Sequence, residues 1–209
     1  METSESFNRA IAELDMLNAQ DPNHRIVDGE VVPFELFFAN KMTDWVFQLD
    51  PEASQVVRLA ARCQHLCRWE IPRSSYPEGR VGYLNWRKDL KSFHADKSAE
   101  VLKEVGFDDA SIERVRDINL KKDLPNDLDV QVIEDALCLV FIENQFDNLI
   151  AKTDDEKMIS ILQKTWRKMS DKAKGLASSL SLSENAQRLL NLALDSWISI
   201  QESMSIDSH

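Results

Sequence analysis

Glycine and proline are scarce in this chain, five and six among 209 residues. So few breakers favour long helices, and no persuasive strand alternation argues otherwise. Cysteine is also rare, and the odd count of three excludes a fully paired disulfide framework; Cys63, Cys67 and Cys138 all fall in helical-looking segments and suit free thiols in a reducing compartment. No apolar run approaches the length that spans a bilayer, and Met1-Glu2-Thr3-Ser4-Glu5 has neither a basic start nor an apolar segment, so the expectation is a cytoplasmic protein without membrane contact. Positive charge is in deficit as well. Lys and Arg number 25 against 36 Asp and Glu, a net charge of −11, which excludes an extensive nucleic-acid surface.

What is present reads as one all-α domain over residues 1–209, with 43% hydrophobic and 29% charged residues. Residues 4–18 form a first helix along Phe7, Ile11, Leu14 and Leu17 or Asn18, followed by a loop through Gly29. Pro33 opens a second helix whose stripe is Phe38, Met42, Trp45 and Leu49, with Glu35 one turn earlier. A third runs from Glu52 to Trp69. Ile71 to Tyr83 is a loop rich in Pro, Ser and Gly, and a helix returns by Trp86 or Ser92 to end at Gly106. Asp108 caps a helix reaching Asn119, Leu128 to Phe146 is the next, and helices over 154–180 and 183–203 complete the chain, the last capped by Ser183. That last helix, with Leu189, Leu192, Ala193, Trp197 and Ile200, suits packing on its own domain or on a second copy in a homodimer.

Two features point to chemistry. Between Arg58 and Lys91 there are eight basic residues against three acidic, a focused anion-attracting patch on an acidic protein. Arginine forks suit phosphate or carboxylate. The second feature is Asp135, which falls on the stripe Leu128, Val132, Leu139, Ile142 and Phe146; a carboxylate there requires a metal ion, an arginine or a proton. His65, His94 and Glu35 are its expected partners. His94 begins the interior-facing stripe Ser98, Val101 and Val105, while His65 shares a helical face with Arg62 and Arg68, which depress its proton affinity and keep it neutral. Cys63 and Cys67 fall on a nearly opposite face and read as core packing. Ligands drawn from several helices are how a bundle builds a metal site.

The run Ala60 to His65, then Phe93-His94-Ala95, Ala99 to Phe107, Ile112 to Ile118 and Glu134-Asp135-Ala136 resembles the skeleton of the HD-domain metal-dependent phosphohydrolases over about residues 34–146. It departs from that pattern where Gln64-His65 stands for His-Asp and where Asn119 to Lys122 stand for a later histidine. The strings Gln64-His65, Arg68 to Arg73, Tyr76-Pro77, Gly82-Tyr83, Trp86-Arg87 and Glu134 to Phe141 are similar to a family catalogued as a domain of unknown function, some members of which are labelled glutamyl-tRNA synthetase-like. Lys168-Met169-Ser170-Asp171-Lys172 superficially resembles a synthetase nucleotide loop but is expected mid-helix.

These resemblances imply a divergent HD-type metal-dependent hydrolase acting on a small phosphorylated or anionic substrate. His65, His94 and Asp135, with Glu35, would hold one divalent ion (Mn, Fe, Mg or Zn) that lowers the pKa of a bound water to about 7. His65, Arg68 and Arg73 are the expected catalytic residues; Arg62, Arg80, Arg87, Trp69 and Tyr83 would bind the substrate. The alternatives are a non-catalytic anion- or nucleotide-binding module on the same bundle, or a metal-dependent oxygenase.

Overall fold

The computed structural model describes residues 5–206, with side chains through residue 195. Among these the architecture is all-α, interrupted by one short hairpin and two single-turn 3-10 helices. Two compact units divide the chain, Met1–Ile133 and Glu134–His209.

In the first unit, α1 (Glu5–Asn18) buries Phe7, Ala10, Leu14 and Asn18 at helical spacing. The expected first residue, Ser4, lies outside the described residues. Instead of a plain loop, β1 (His24–Val27) and β2 (Glu30–Pro33) then pair antiparallel, His24 opposite Pro33 and Val27 opposite Glu30. Asp28 and Gly29 turn the hairpin with φ of 50° and 87°, the left-handed pair that a two-residue turn of this hand requires. The strands escape a periodicity search because each is four residues long and Ile26 and Val31 are largely exposed, leaving no buried face to alternate. Asp21 closes the base. Its Oδ1 accepts from the Asn23 N–H at 2.9 Å and its Oδ2 from the Glu35 N–H at 2.9 Å, while the Phe34 N–H donates to the Asn23 carbonyl at 2.8 Å. Asp21 thereby satisfies a first-turn amide of α2 (Phe34–Leu49), whose own N-cap, Pro33, makes no side-chain cap bond.

The α2 stripe of Phe38, Met42, Trp45 and Leu49 is buried as expected, and Glu35 is buried with it. Ser54 caps α3 (Gln55–Cys63), accepting from the Val57 N–H at 3.3 Å. That helix does not continue to Trp69. Bonds from the Leu66 N–H to the Cys63 carbonyl and from the Arg68 N–H to the His65 carbonyl tighten the chain, and Cys67 takes a left-handed φ of 54°. The 3-10 turns Arg68–Glu70 and Arg73–Ser75 follow.

Helix α4 (Gly79–Val105) begins earlier than its glycines suggest. Gly82 is there for close approach: a Cβ at that position would lie 1.9 Å from the Pro77 carbonyl oxygen. Gly106 ends α4 with φ of 95°, its N–H bonding to the Leu102 carbonyl at 3.2 Å, and Asp108 caps α5 (Asp109–Asn119) through the Ser111 N–H at 2.9 Å; both ends are those the sequence predicts. Helix α6 (Leu128–Asn144) starts in this unit, where Arg114 grips Asp127 and Asp129. Leu128, expected on the apolar stripe, is exposed.

The second unit contains the rest of α6, then α7 (Phe146–Ile150), α8 (Asp155–Trp166), α9 (Asp171–Ser178) and α10 (Glu184–Ile206). The single helix expected over 154–180 is two, because Asp154 and Ser170 each act as an N-cap, accepting from the Lys157 N–H at 2.8 Å and the Ala173 N–H at 3.2 Å. The Lys168 to Lys172 stretch is therefore a helix junction and not the middle of a helix. Helix α10 packs on α7 and α8 and buries Leu189, Leu190 and Ala193, leaving Leu192 half exposed. Trp197 and Ile200 lie outside the described side chains. No helix among the described residues is long and apolar enough to cross a membrane, and all three cysteines are buried thiols outside any disulfide.

Candidate functional site

Four polar side chains from separate elements of the first unit converge where apolar packing would otherwise be expected. Glu35, in the first turn of α2, is 5% exposed, and its Oε2 lies 3.1 Å from His65 Nδ1. Its Oε1 faces Arg68 Nε at 3.9 Å. His65 stacks on Phe38 with ring centroids 3.9 Å apart and planes 11° from parallel, which fixes the imidazole. His94, on α4 and 4% exposed, has its ring centroid 5.9 Å from that of His65. Arg68 lies 4.9 Å over the Trp86 ring, and Trp86 is itself anchored by its indole N–H donating to the Ile71 carbonyl at 2.9 Å.

A buried polar relay holds these elements together. Gln64 Nε2 donates to the Asn119 Oδ1 at 2.6 Å and to the Ala60 carbonyl at 3.1 Å; Asn119 Nδ2 donates to Ser98 Oγ at 3.2 Å, and that hydroxyl donates to the His94 carbonyl at 2.5 Å. The relay ties the end of α3 to α4 and α5 with its polar groups paired, which rigidifies the cluster.

Burial sets the protonation states. It pushes the Glu35 carboxyl up to about 8, with Arg68 opposing and Asp21 assisting. It drives His65 well below its ordinary value, reinforced by Arg68, His94, Arg87 and Lys121. It takes His94 down to about 3, aided by Arg68 and Arg87 and opposed by a hydrogen bond to the Gln64 backbone. Burial thus favours an uncharged carboxyl and uncharged imidazoles, an arrangement in which Glu35 O–H donates to His65 Nδ1 and leaves Nε2–H of His65 as a donor. His94 is the complement. Its Nε2 is buried without a hydrogen-bond partner, so the bond to the Gln64 backbone uses Nδ1–H and Nε2 presents a lone pair. The cluster thus offers one imidazole donor, one imidazole acceptor and the positive charge of Arg68, Arg87 and Lys121.

The other expected residues are placed differently. Arg62 donates to Asn40 Oδ1 at 2.5 Å and pairs with Asp15 at 3.3 Å, on the side of α3 that meets α1. Arg73 spends its guanidinium on the Tyr76 and Pro77 carbonyls, both at 2.9 Å, and so braces its own loop. Arg80 is exposed, and Trp69 is half buried on the same 3-10 turn as Arg68. Tyr83 is 46% exposed, its ring 5.9 Å from that of Trp86, and it bears electrostatically on Arg68. Asp135 belongs to the second unit, where its carboxylate accepts from the Ser170 N–H at 2.8 Å and the Ser170 hydroxyl at 2.5 Å. Beside it Glu134 is buried and pairs with Lys168 at 3.2 Å. Phe38, Trp86 and Lys121 were not expected at the site; Trp86 and Lys121 sit in or beside the strings that carry the resemblances, but neither is marked by spacing.

With no ion bound, burial favours the neutral forms of Glu35, His65 and His94, and Arg68, Arg87 and Lys121 bear electrostatically on His65. Among the described residues no group of three or more His, Cys, Asp or Glu side chains is placed to hold a metal.

Over residues 8–190 the chain matches the family described as Domain of unknown function (DUF4202). It belongs to that family. The matched span includes every residue of the Glu35 cluster. No curated protein and no solved structure matches the chain. Neither the HD-like nor the synthetase-like resemblance gains support from these comparisons.

Proposed function

We propose that the Glu35 cluster binds a small phosphorylated molecule that also carries hydroxyl groups, such as a sugar phosphate or a nucleotide. The observation that carries this reading is the buried, unpartnered Nε2 of His94 beside a concentration of positive charge. A buried acceptor left unmade costs about 1–3 kcal/mol, and a ligand hydroxyl would satisfy it. Arg68, Arg87 and the His65 Nε2–H would take the anionic oxygens, the half-buried Arg68 doing so from its place over the Trp86 ring.

Thermal unfolding in the presence of nucleotides and sugar phosphates, with and without Mn²⁺, tests the proposal. A ligand at about 100 times its Kd stabilises by about 2.7 kcal/mol. The expected result is stabilisation that does not require the metal, that is reduced in Arg68→Gln, and that weakens above pH 8 as Glu35 ionises and converts His65 Nε2 from donor to acceptor. No stabilisation, or stabilisation only with Mn²⁺, overturns it.

Hydrolysis of the bound molecule is the second reading, and the same His94 lone pair favours it because it can accept a proton from water. With His94 held at about 3 it is a weak base, so binding takes precedence. Release of inorganic phosphate from the stabilising compound, abolished in His94→Ala, is the outcome that would establish hydrolysis.

A further inference from the structure

A second cationic hollow in the first unit shares no residue with the Glu35 cluster. Arg58 and Arg62 stand four apart on α3 and so project from one face. With Phe7, Asn8 and Ile11 of α1 and Thr43 of α2 they line a pocket of about 200 Å³. Arg62 is answered by Asp15 and Asn40. Arg58 has no such answer. Its guanidinium lies 4.5 Å over the Phe7 ring and 4.9 Å over the Phe47 ring, its Nε is buried without a hydrogen-bond partner, and no carboxylate among the described residues pairs with it.

Structural packing alone leaves that arrangement uncompensated. Two aromatic faces stabilise the cation and fix its plane, but they take none of its N–H groups, and a donor kept from water without a partner is costly. The one nearby hydroxyl, Thr43 Oγ1, already donates to the Ala39 carbonyl at 3.0 Å, so the pocket's free capacity is dominated by guanidinium N–H groups. Asp15 offsets one of the two positive charges and the other remains. The Arg58 fork suits a phosphate-type oxyanion, whose higher charge favours it over a carboxylate, while Arg62, its Nη groups already serving Asn40 and Asp15, adds positive charge beside it. The volume falls below the ~300 Å³ at which pockets for larger organic ligands begin, so the occupant is a single small group and not a nucleotide.

We propose that this pocket binds one small phosphate-type oxyanion, free phosphate or the head of a small phosphomonoester, with Arg58 as its principal cation and Arg62 as the second. Titration of inorganic phosphate into the full chain, followed through the Arg58 Nε–H resonance and by calorimetry, tests it. The expected result is a saturable shift of that resonance, with affinity reduced about tenfold or more in Arg58→Gln. Arg68→Gln, which removes a cation of the Glu35 cluster, should leave the Arg58 shift in place and so separates the two sites. Arg58→Lys keeps the charge without the fork, and partial weakening there guards against a folding defect. Glycerol phosphate run in parallel distinguishes the sources: tighter binding than free phosphate assigns the pocket to a phosphomonoester, and weaker binding to the free ion. A stationary Arg58 resonance, equal affinity in wild type and Arg58→Gln, or equally tight binding of acetate would overturn the proposal.

Discussion

Replacing Glu35 by Gln should remove the alkaline limb of the protein's stability curve. The carboxyl titrates at about 8 in the folded chain against an ordinary 4.5, so between those values the native state holds a proton that the unfolded state has released. Stability therefore falls as pH rises through that window. Each full unit costs about 1.4 kcal/mol, and because the curve flattens near 8 the loss between pH 6.5 and 8 comes to about 1.5 kcal/mol. His65 and His94 act on the other side. Their folded proton affinities lie below the ordinary 6.5, so the stability they contribute is present above that value and is lost as pH falls beneath it. Wild type should accordingly be most stable near pH 6.5. A glutamine amide can still donate to His65 Nδ1 but carries no titrating proton, so Glu35→Gln should keep the acid limb and lose the alkaline one. Urea midpoints at pH 6.5 and 8 with an unchanged m-value provide the measurement, and other groups titrating there cancel between the two proteins. Equal alkaline losses in wild type and variant would refute the assignment of that proton to Glu35.

Ser170→Ala removes both the α9 cap and a hydroxyl bonded to the buried Asp135, and should destabilise by about 2–3 kcal/mol in urea unfolding; about 1 kcal/mol, the value of a cap alone, would mean that the Asp135 contact contributes nothing. Gly82→Ala should lower the melting temperature by circular dichroism even though alanine in a free helix gains up to ~1 kcal/mol over glycine, because its Cβ would collide with the Pro77 carbonyl; an unchanged or raised value refutes that close approach. Burial pushes the Cys63 thiol up to about 12 and the Cys67 thiol up to about 11. A thiol reagent at pH 8 should therefore modify neither in the native protein and both in denaturant, and rapid native labelling of either would contradict the packing.

Sequence periodicity located most helices because long apolar stripes such as Phe38, Met42, Trp45 and Leu49 repeat often enough to be read. It also marked Glu35 and His94 as polar residues on apolar faces, and both are buried. Periodicity reports burial, however, and not the partner. Asp135 was legible as an interior carboxylate, whereas its bonds to Ser170 depend on a helix junction 35 residues along that a continuous amphipathic pattern conceals. The arginines posed the same difficulty: a local excess of positive charge does not say which guanidinium is spent on carbonyls, as in Arg73, and which is held over an aromatic ring, as in Arg68. The sequence places His65 inside a helix. The helix stops at Cys63, and the left-handed Cys67 redirects the chain into the turn that carries Arg68, a conformation that nothing in the residue type announces.

Asp21 takes the amide of Asn23 on one side of the hairpin and that of Glu35 on the other, so residues 24–33 leave and re-enter the body of the first unit at a single carboxylate. The hairpin is consequently fastened twice, at its base by that carboxylate and along its body by Arg25, which lies 3.8 Å over the Phe37 ring of α2. A fluorescent label grafted at the Asp28-Gly29 tip touches neither fastening, which makes the tip the natural place to mark the protein without disturbing the proton held by Glu35.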